Sequence, residues 1–243
     1  MKERKENVRK LWASVEKHKE ELLVALKEDL GKPEPEALLQ EIFPLKQEVD
    51  HVLKNMDEWA SKRHAPTPLS LLGTRHYVKP EPKGRVLIIS PWNFPVMLTL
   101  RPLVGALAAG NRVVVKPSEH TPATSLVLQK MISEAFSEEV VSVVLGGPKE
   151  AAKLTAQDFD HINFTGGTEI GKLVMRAASE RLCSVTLELG GKSPVIVSRN
   201  ARIKKAANRI SWGKFLNAGQ VCIAPDYLLI EEEVCEEFKR ELV

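Results

Sequence analysis

The feature that most constrains the fold is an alternation, beginning at Gly84, of short apolar runs with segments of helical spacing. The runs are apolar along most of their length, as expected for strands buried on both faces of a sheet. Strands separated by helices of this length form parallel sheets through right-handed crossovers. The sequence therefore predicts an α/β fold with a doubly wound, mostly parallel sheet. The predicted strands are 85–89, 112–115, 140–145, 161–164, 185–188 and 195–197, and the predicted helices are 96–109, 121–135, 149–157 and 168–180.

Further elements are predicted on both sides of this alternation. Two amphipathic helices precede it, and Gly31 ends the first of them. A proline-rich connection near 65–82 follows these helices and contains a short strand. A helix, a strand and a last helix follow the alternation. The predicted helices are 3–30, 36–61, 201–215 and 232–243, and the predicted strands are 75–78 and 227–230.

One strand end carries a glycine-rich sequence. Ligands of doubly wound sheets bind outside the carboxyl ends of the strands, which directs attention to 90–95, 116–119, 165–171 and 188–192. Residues 165–171 read Thr-Gly-Gly-Thr-Glu-Ile-Gly ahead of a predicted helix, whose N-terminus favours a phosphate. A tight turn capped by Thr168 is the alternative. The P-loop pattern is incomplete, because Leu173 stands where a Ser or Thr is needed, and this disfavours a nucleotide hydrolase. The Gly-x-Gly-x-x-Gly pattern is absent, so the sequence has no standard Rossmann fingerprint.

Two other strand ends carry polar groups suited to a nucleotide or to an oxyanion. Lys116 and Glu119 place a cation and a carboxylate after a strand, where the carboxylate could accept hydrogen bonds from ribose hydroxyls. A surface ion pair is the alternative. Prolines on both sides of Asn93 stiffen its loop, so its side-chain N–H is suited to a developing oxyanion. The alternative is that Trp92 and Phe94 belong to the core and Asn93 satisfies a turn.

A carboxylate and a thiol complete the candidate residues. Glu188 ends a predicted buried strand, where a carboxyl group holds its proton more tightly, as a general base near neutral pH requires. A structural glutamate is the alternative. Cys222 lies between a predicted helix and a predicted strand, with Gly219 before it and Pro225 after it. Such connections often present reactive groups, whereas a small buried hydrophobe is the commoner role of a free cysteine.

Composition disfavours several classes of protein. The 243 residues carry a net charge of +3 with both signs interspersed, which disfavours a nucleic-acid surface. Three cysteines without a Cys-x-x-Cys spacing disfavour a disulfide scaffold and a metal site. The sequence shows neither a secretory signal nor an apolar stretch long enough to span a bilayer. We therefore expect a cytoplasmic protein without a membrane span.

Taken together, these stretches resemble the aldehyde dehydrogenase superfamily over nearly the whole chain. The residues that carry the resemblance are Pro91-Trp-Asn-Phe-Pro95, Lys116-Pro-Ser-Glu119, Phe164-Thr-Gly-Gly-Thr-Glu-Ile-Gly171, Leu187-Glu-Leu-Gly-Gly-Lys192 and Gly219-Gln-Val-Cys222. Five motifs in the family's order are far more specific than any one of them. Asp29-Leu-Gly-Lys32 and the short amino-terminal part resemble the class 3 branch, which includes long-chain and aromatic aldehyde enzymes.

The resemblance implies a role for each candidate residue. It implies oxidation of an aldehyde to a carboxylic acid, with Cys222 as nucleophile, Glu188 as general base and Asn93 as oxyanion donor. It implies NAD or NADP as cofactor, with Lys116 and Glu119 at the adenosine ribose. The other cofactor-binding residues that it implies are Trp92, Gly166, Gly167, Thr168, Glu169, Ile170, Gly171, Leu189 and Gly190.

The resemblance also implies a domain organisation. Residues 1–185 would form the dinucleotide-binding domain, and 186–243 the opening of an α/β catalytic domain. Family members continue well beyond the nucleophile, and the resemblance implies a homodimer for the parent chain. We therefore expect this chain to be incomplete, with little or no turnover by itself.

Three alternatives remain open at this point. A non-catalytic dinucleotide-binding fragment would bind cofactor with an unreactive Cys222. A reductase of the same superfamily acting on an acyl phosphate or acyl-CoA would not need Glu188. A cysteine hydrolase would need a histidine near Cys222, and the candidates are His18, His51, His64, His76, His120 and His161.

Overall fold

The computed structural model describes Met1–Leu242 and divides the chain into two compact units. The first unit comprises Met1–Thr165 and Glu169–Glu188, and the second comprises Gly166–Thr168 and the residues from Leu189 onward. The division after Glu188 lies three residues beyond the boundary predicted after residue 185. The functions assigned to the two predicted domains remain predictions.

The first unit begins with two helices where the sequence predicts one. Helix α1 (Lys2–Lys17) ends at His18, and α2 (Lys19–Leu30) begins directly after it. The His18 side chain is buried, with Nδ1 2.9 Å from the Ser14 carbonyl oxygen and Nε2 3.2 Å from a Glu134 carboxylate oxygen. These contacts hold the ring inside the unit at the point where the helix is interrupted. The single helix predicted over 3–30 is therefore wrong at this residue.

The helix predicted over 36–61 is confirmed as one continuous helical stretch that contains a π-helical turn. It consists of a short α3 (Glu34–Ala37), a π-helical segment (Leu38–Ile42) and α4 (Phe43–Trp59). Gly31 ends α2 with a left-handed φ of 64°, as predicted for a glycine at a helix C-terminus. The π-helical segment is not visible in the apolar spacing, because one extra residue in a turn leaves the periodic pattern nearly intact.

Two short strands lie in the predicted connection near 65–82. Strand β1 (Arg63–Ala65) pairs antiparallel with β2 (His76–Val78). The predicted strand at 75–78 is confirmed as β2. Strand β1 was not predicted, because Arg-His-Ala carries no apolar pattern.

The alternation predicted from Gly84 is confirmed. Its elements are β3 (Arg85–Ile89), α5 (Met97–Ala109), β4 (Arg112–Lys116), α6 (Pro122–Ala135), β5 (Val141–Val143), α7 (Pro148–Thr155), β6 (His161–Gly166), α8 (Thr168–Ser179) and β7 (Ser184–Leu189). The strands form one sheet in the order β5-β4-β3-β6-β7, and the pairs β3–β4, β4–β5 and β3–β6 are parallel. The chain fills the sheet first on one side of β3 and then on the other. This reversal defines a doubly wound sheet, so the predicted fold class is confirmed.

One core joins the helical start of the chain to this sheet. Helices α1, α2, α4, α5 and α6 pack with β3, β4 and β5 around residues that include Leu11, Leu45, Ile88 and Leu100, all at most 1% exposed. Each such side chain contributes about 1.5–3 kcal/mol through burial. The predicted burial of strands on both faces holds for β3. It is wrong for β7, which lies at the sheet edge and is half-buried or exposed along its length.

The second unit is a smaller α/β structure. It contains β8 (Pro194–Val197), α9 (Ile203–Phe215), a 3-10 segment (Leu216–Gly219), β9 (Tyr227–Ile230) and α10 (Glu232–Leu242). Strands β8 and β9 pair in parallel, and Val197, Ile203, Ala207, Val234 and Phe238 form the core.

Most predictions for the second unit agree with this structure. The strand predicted at 227–230 and the helix predicted at 201–215 are confirmed as β9 and α9. The strand predicted at 195–197 exists as β8, but its assignment to the large sheet is wrong, because its partner is β9. The last predicted helix is confirmed as far as Leu242, and residue 243 lies outside the described residues. Within Met1–Leu242, every helix is too short or too polar to cross a bilayer.

Candidate active site

The chain segments that follow β3 and β4 leave the same edge of the sheet. Ile89 and Lys116 are paired residues at the carboxyl ends of these parallel strands. The Ser90 N–H donates to the Lys116 carbonyl oxygen at 3.1 Å, so the pairing continues one residue beyond β3. The segments 90–95 and 116–119, predicted as oxyanion and ribose loops, therefore begin side by side at a switch point of the sheet.

The loop after β4 holds a carboxylate against a buried cation. Lys116 Nζ donates to the Pro117 carbonyl oxygen at 3.0 Å and to Glu119 Oε2 at 2.8 Å. The Lys116 side chain is 3% exposed and that of Glu119 is 34% exposed, so this is not the surface ion pair considered as an alternative. Partial burial acts to raise the pKa of Glu119, but hydrogen bonds from Lys116 and from its own backbone N–H outweigh it and lower the pKa. An ionised, part-exposed carboxylate is a suitable acceptor for ribose hydroxyls.

An aspartate from α2 supports the helix that follows this loop. Asp29 accepts hydrogen bonds from the backbone N–H groups of Ala123 and Thr124, at 3.1 and 2.7 Å, in the first turn of α6. The Ser125 hydroxyl donates to the Ser118 carbonyl oxygen at 2.9 Å. Asp29 therefore acts as a cap from a distant part of the sequence. Sequence reasoning noted the Asp29–Lys32 motif but assigned no contact to it.

The loop carrying Asn93 is anchored to the interior of the first unit. Phe94 is buried, Asn93 is half-buried, and Trp92 is 37% exposed. The alternative that both aromatic residues belong to the core therefore holds for Phe94 and is wrong for Trp92. The Asn93 carbonyl oxygen accepts a hydrogen bond from Lys32 Nζ at 3.2 Å. Thr99 Oγ1 lies 2.5 Å from the Pro95 carbonyl oxygen, to which it donates.

The glycine-rich sequence joins β6 to α8 as predicted. Gly167, Thr168, Glu169 and Ile170 are exposed, whereas Gly171 is buried within α8. A Cβ atom added to Gly167 would meet no heavy atom within 4 Å, so the backbone here faces open space. An open segment ahead of a helix N-terminus fits a phosphate group.

Glu188 lies near the end of β7, and its predicted burial is wrong. The side chain is exposed, because β7 is the edge strand of the sheet. The burial argument for a general base therefore does not apply to it, although its carboxylate is accessible to water. Leu189 is half-buried, and a Cβ atom on the exposed Gly190 would meet nothing within 4 Å.

Cys222 follows a left-handed turn in the second unit. Asn217, Ala218 and Gly219 have φ values of 49°, 54° and 79°, so the predicted turn at Gly219 includes two non-glycine residues. The Asn217 side chain is 5% exposed and its Nδ2 donates to the Gln220 carbonyl oxygen at 3.3 Å. The Gln220 side chain in turn donates to the Asn217 carbonyl oxygen at 3.0 Å. This exchange of hydrogen bonds holds a conformation that costs about 1–3 kcal/mol at a non-glycine residue.

The thiol of Cys222 is accessible. It is exposed, whereas Cys183 and Cys235 are half-buried, and all three cysteines are free. Burial and the nearby Asp160 raise the pKa of Cys183, although Lys83 opposes them. The prediction that Cys222 lies on a connection between regular elements is confirmed, and the alternative of a buried cysteine is wrong.

The sequence motif after Glu188 runs beside Cys222 within the second unit. An ideal Cβ atom built on Gly191 would lie 3.8 Å from the Cys222 carbonyl oxygen. The Asp226 N–H donates to the Ser193 carbonyl oxygen at 3.0 Å, and Lys192 Nζ lies 3.2 Å from the Asp226 carboxylate. Two of the five sequence motifs are thus adjacent in space. Asn93 and Glu188 belong to the first unit and Cys222 to the second, so convergence of these three side chains stays a prediction.

The sheet order and the polar residues at its carboxyl edge define a doubly wound α/β protein with features suited to a dinucleotide. Residues 1–243 match the aldehyde dehydrogenase family, and the chain belongs to that family. The resemblance stated from the five motifs is therefore confirmed.

Individual relatives support the same assignment. The chain is 46% identical over 231 residues to 4,4'-diaponeurosporen-aldehyde dehydrogenase of Staphylococcus aureus, covering 95% of this chain and 50% of the relative. It is 46% identical over 217 residues to aldehyde dehydrogenase family 3 member A2 of Rattus norvegicus, covering 89% of this chain and 45% of the relative. The second relative agrees with the predicted class 3-like branch.

A solved structure gives the same result for the fold. A substrate-bound structure of Staphylococcus aureus AldH superposes with a TM-score of 0.96 at 44% identity, covering 98% of this chain and 52% of that one. The chain thus spans about half the length of the relatives that it matches.

Proposed function

We propose that this chain carries the cofactor-binding sheet and the nucleophile of an NAD(P)-dependent aldehyde dehydrogenase, which oxidises an aldehyde to a carboxylic acid. The observation that carries the proposal is that Cys222 is exposed and follows a left-handed turn. The backbone of Cys222 also lies beside Gly191, which belongs to another of the five motifs. Strained backbone of this kind clusters at functional sites.

The proposed chemistry begins with the Cys222 thiolate, which adds to the carbonyl carbon of the aldehyde. The Asn93 side-chain amide and the Cys222 backbone N–H donate hydrogen bonds to the oxyanion that forms. Bound nicotinamide would supply the acceptor for the hydride that the carbon of this adduct loses, and the loss would leave that carbon bound to Cys222 as a thioester. The exposed Glu188 carboxylate then takes a proton from a water molecule, which hydrolyses the thioester on Cys222 to the carboxylic acid.

We assign the residues after β4 to the adenosine ribose of the dinucleotide and the residues after β6 to its pyrophosphate. Lys116 holds the Glu119 carboxylate in place, and we propose that Glu119 accepts hydrogen bonds from the adenosine ribose. Gly166, the open backbone at Gly167 and the start of α8 would receive the pyrophosphate. The negative charge of Glu119 disfavours the 2′-phosphate of NADP, so we expect NAD to bind more tightly.

The proposed substrate is a long-chain or aromatic aldehyde. The resemblance to the class 3 branch supports this proposal, and the Staphylococcus aureus relative is named for the aldehyde 4,4'-diaponeurosporen-aldehyde. We further propose, from the sequence, that the parent chain forms a homodimer and is cytoplasmic.

The test measures reduction of NAD and of NADP, with a panel of aldehydes, by this chain and by the protein expressed at its full natural length. The panel includes 4,4'-diaponeurosporen-aldehyde, a saturated fatty aldehyde and an aromatic aldehyde. Cys222→Ala is the inactive variant, and Cys235→Ala, at a half-buried cysteine of the same unit, is its matched control. We expect activity at full length that Cys222→Ala removes and Cys235→Ala retains. Full activity in Cys222→Ala would overturn the proposal.

A second candidate is a non-catalytic dinucleotide-binding chain, favoured by the coverage of about half of each relative. It predicts NAD binding by calorimetry together with a Cys222 that iodoacetamide does not label. The reductase alternative predicts that Glu188→Gln leaves hydrolysis of an acyl thioester unchanged, whereas the proposed mechanism predicts its loss.

A further inference from the structure

An ion pair is buried beneath the Asn93 loop. Lys32 is 3% exposed and Glu41 is fully buried, and Lys32 Nζ donates to Glu41 Oε1 at 2.6 Å. Burial raises the pKa of Glu41 above its ordinary value, although Lys32 and two backbone N–H groups oppose this effect. Two buried charges recover their desolvation cost only when their other polar atoms are well satisfied. Stabilisation of the fold is therefore not a sufficient explanation for this ion pair, and its other contacts indicate what it does.

Among the residues that the structure describes, the other polar contacts of the pair go to the backbone at or after Asn93. Lys32 Nζ donates a second hydrogen bond to the Asn93 carbonyl oxygen at 3.2 Å. Glu41 Oε2 accepts hydrogen bonds from the N–H groups of Val96 and Met97, at 3.1 and 2.9 Å. These N–H groups lie at the N-terminus of α5, where the helix dipole favours a carboxylate. The ion pair thus binds the loop at Asn93 and again three and four residues later.

An aromatic contact adds to this attachment. Lys32 Nζ lies 4.6 Å from the centroid of the Phe94 ring, within the range of a cation–π interaction. Phe94 directly follows Asn93 and is itself buried. The cation therefore contacts two successive residues of the loop.

Both buried charges lie at irregular points of the backbone. Gly31 takes the left-handed conformation that ends α2, and Lys32 follows it directly. Glu41 lies in the π-helical segment Leu38–Ile42. Segments of this type recur at functional sites.

We propose that Lys32 and Glu41 are positioning residues that fix the Asn93 side-chain amide for its hydrogen bond to the oxyanion. The inference rests on the role proposed above for Asn93. Donors of this kind are effective because they are held in place before the reaction starts. A displacement of about 1 Å can lower the rate of a reaction about 100-fold.

The variant K32M/E41Q tests the proposal because it removes both charges together, so neither charge is left buried alone. The glutamine can still accept hydrogen bonds at the start of α5. The matched control is K130M/E21Q, which neutralises an exposed Lys–Glu pair of the same unit with an Nζ–Oε2 distance of 2.9 Å. Lys32→Arg is the conservative variant, which keeps the cation and its donors.

The first measurement is amide hydrogen exchange of the segment 91–97 in this chain. We expect exchange to be about 5-fold or more faster in K32M/E41Q and unchanged in K130M/E21Q, because local opening depends on local contacts. Unchanged exchange in K32M/E41Q would overturn the proposal without reference to any catalytic activity.

The second measurement is aldehyde oxidation by the protein at its full natural length. We expect K32M/E41Q to lower kcat about 10- to 100-fold with KM within about threefold, and K32R to retain most of the activity. In an Asn93→Ala background the same double substitution should have little further effect. An equal loss of kcat in that background would show a general structural role and contradict the proposal.

The two proposals fail in different ways. If Asn93→Ala leaves kcat unchanged, the oxyanion role of Asn93 is wrong, and the positioning role is wrong with it. If Asn93→Ala lowers kcat while K32M/E41Q changes neither kcat nor exchange, only the positioning role is wrong.

Discussion

The turn before Cys222 is the residue-scale feature with the clearest physical cost. Ala218 has a φ of 54°, in a region where an L-residue other than glycine is strained. Asn217 and Gln220 hold this turn through reciprocal side-chain hydrogen bonds. The strain therefore persists because the neighbouring residues determine the conformation.

Relief of this strain should stabilise the second unit. In Ala218→Gly, loss of about 1–2 kcal/mol of left-handed strain exceeds the added unfolded-state entropy of about 0.5–1 kcal/mol. We expect the free energy of unfolding to rise by about 0.5–1 kcal/mol. Ala206→Gly in α9 is the control and should lower it by about 1 kcal/mol. Urea titration measures both, and a destabilised Ala218→Gly variant would contradict this account.

Cysteine accessibility gives a second residue-scale prediction. Cys222 is exposed, whereas Cys183 is half-buried and burial raises its pKa. At neutral pH we expect iodoacetamide to label Cys222 about 10-fold or more faster than Cys183, because alkylation requires an accessible thiolate. Peptide mapping by mass spectrometry measures both rates in one sample. Equal labelling of the two cysteines would show that the thiol of Cys222 is not presented as the structure indicates.

At the scale of elements, α6 depends on a cap from another helix. Asp29 accepts two hydrogen bonds from the first turn of α6, which begins three residues after the proposed ribose loop 116–119. A carboxylate at this position satisfies N–H groups that have no partner within the helix and complements its dipole.

Removal of the cap should destabilise the first unit. We expect Asp29→Ala to lower the free energy of unfolding by about 1–2 kcal/mol, because two N–H groups lose their acceptor. The control is Glu20→Ala, an exposed carboxylate of the same helix, which should change it by less than about 0.5 kcal/mol. Chemical denaturation followed by circular dichroism compares the two, and equal effects would exclude a capping role.

The sequence predicted an element correctly where neighbouring residues determine its structure, and less well where contacts between distant segments determine it. Strands β3, β4 and β9 follow from apolar runs, and the left-handed stop at Gly31 follows from its lack of a side chain. The partner of β8 and the edge position of β7 are set by pairing between distant segments, so the sheet assigned to β8 and the burial of Glu188 were predicted wrongly. The contacts of Asp29 with α6 and of Lys32 with the Asn93 carbonyl oxygen join residues 61 to 95 positions apart. No local pattern could identify them.

At the scale of the whole molecule, several carboxylates make the fold sensitive to acid. At Glu119, burial acts to raise the pKa, but the hydrogen bonds from Lys116 and from its own backbone N–H together have a larger effect, so the pKa lies below its ordinary 4.5. Hydrogen bonds from Lys17 and Arg199 likewise lower the pKa values of Glu134 and Glu231. At each of these three carboxylates the unfolded chain therefore binds more protons than the folded chain, whereas the buried Glu41, whose pKa is raised, acts in the opposite direction.

We expect stability to fall as the pH is lowered. These carboxylates make their full contribution to the free energy of unfolding above their ordinary pKa of 4.5. This contribution is lost as the pH falls through the lower pKa values of the folded state. Urea midpoints measured at steps of pH below 6.5 should decrease, most steeply below 4.5. Glu134→Gln should have a shallower dependence, because it lacks one of these carboxylates. A midpoint that stays constant or rises on acidification would contradict the assigned shifts.

The central claim is that Cys222 forms a thioester during oxidation of an aldehyde. The most direct test is mass spectrometry of the Glu188→Gln variant at its full natural length, incubated with NAD and a fatty aldehyde. Without the proposed base, hydrolysis should slow, and an acyl group should accumulate on the peptide that contains Cys222. An acyl group on another residue, or oxidation of the aldehyde at the normal rate by Cys222→Ala, would contradict the account.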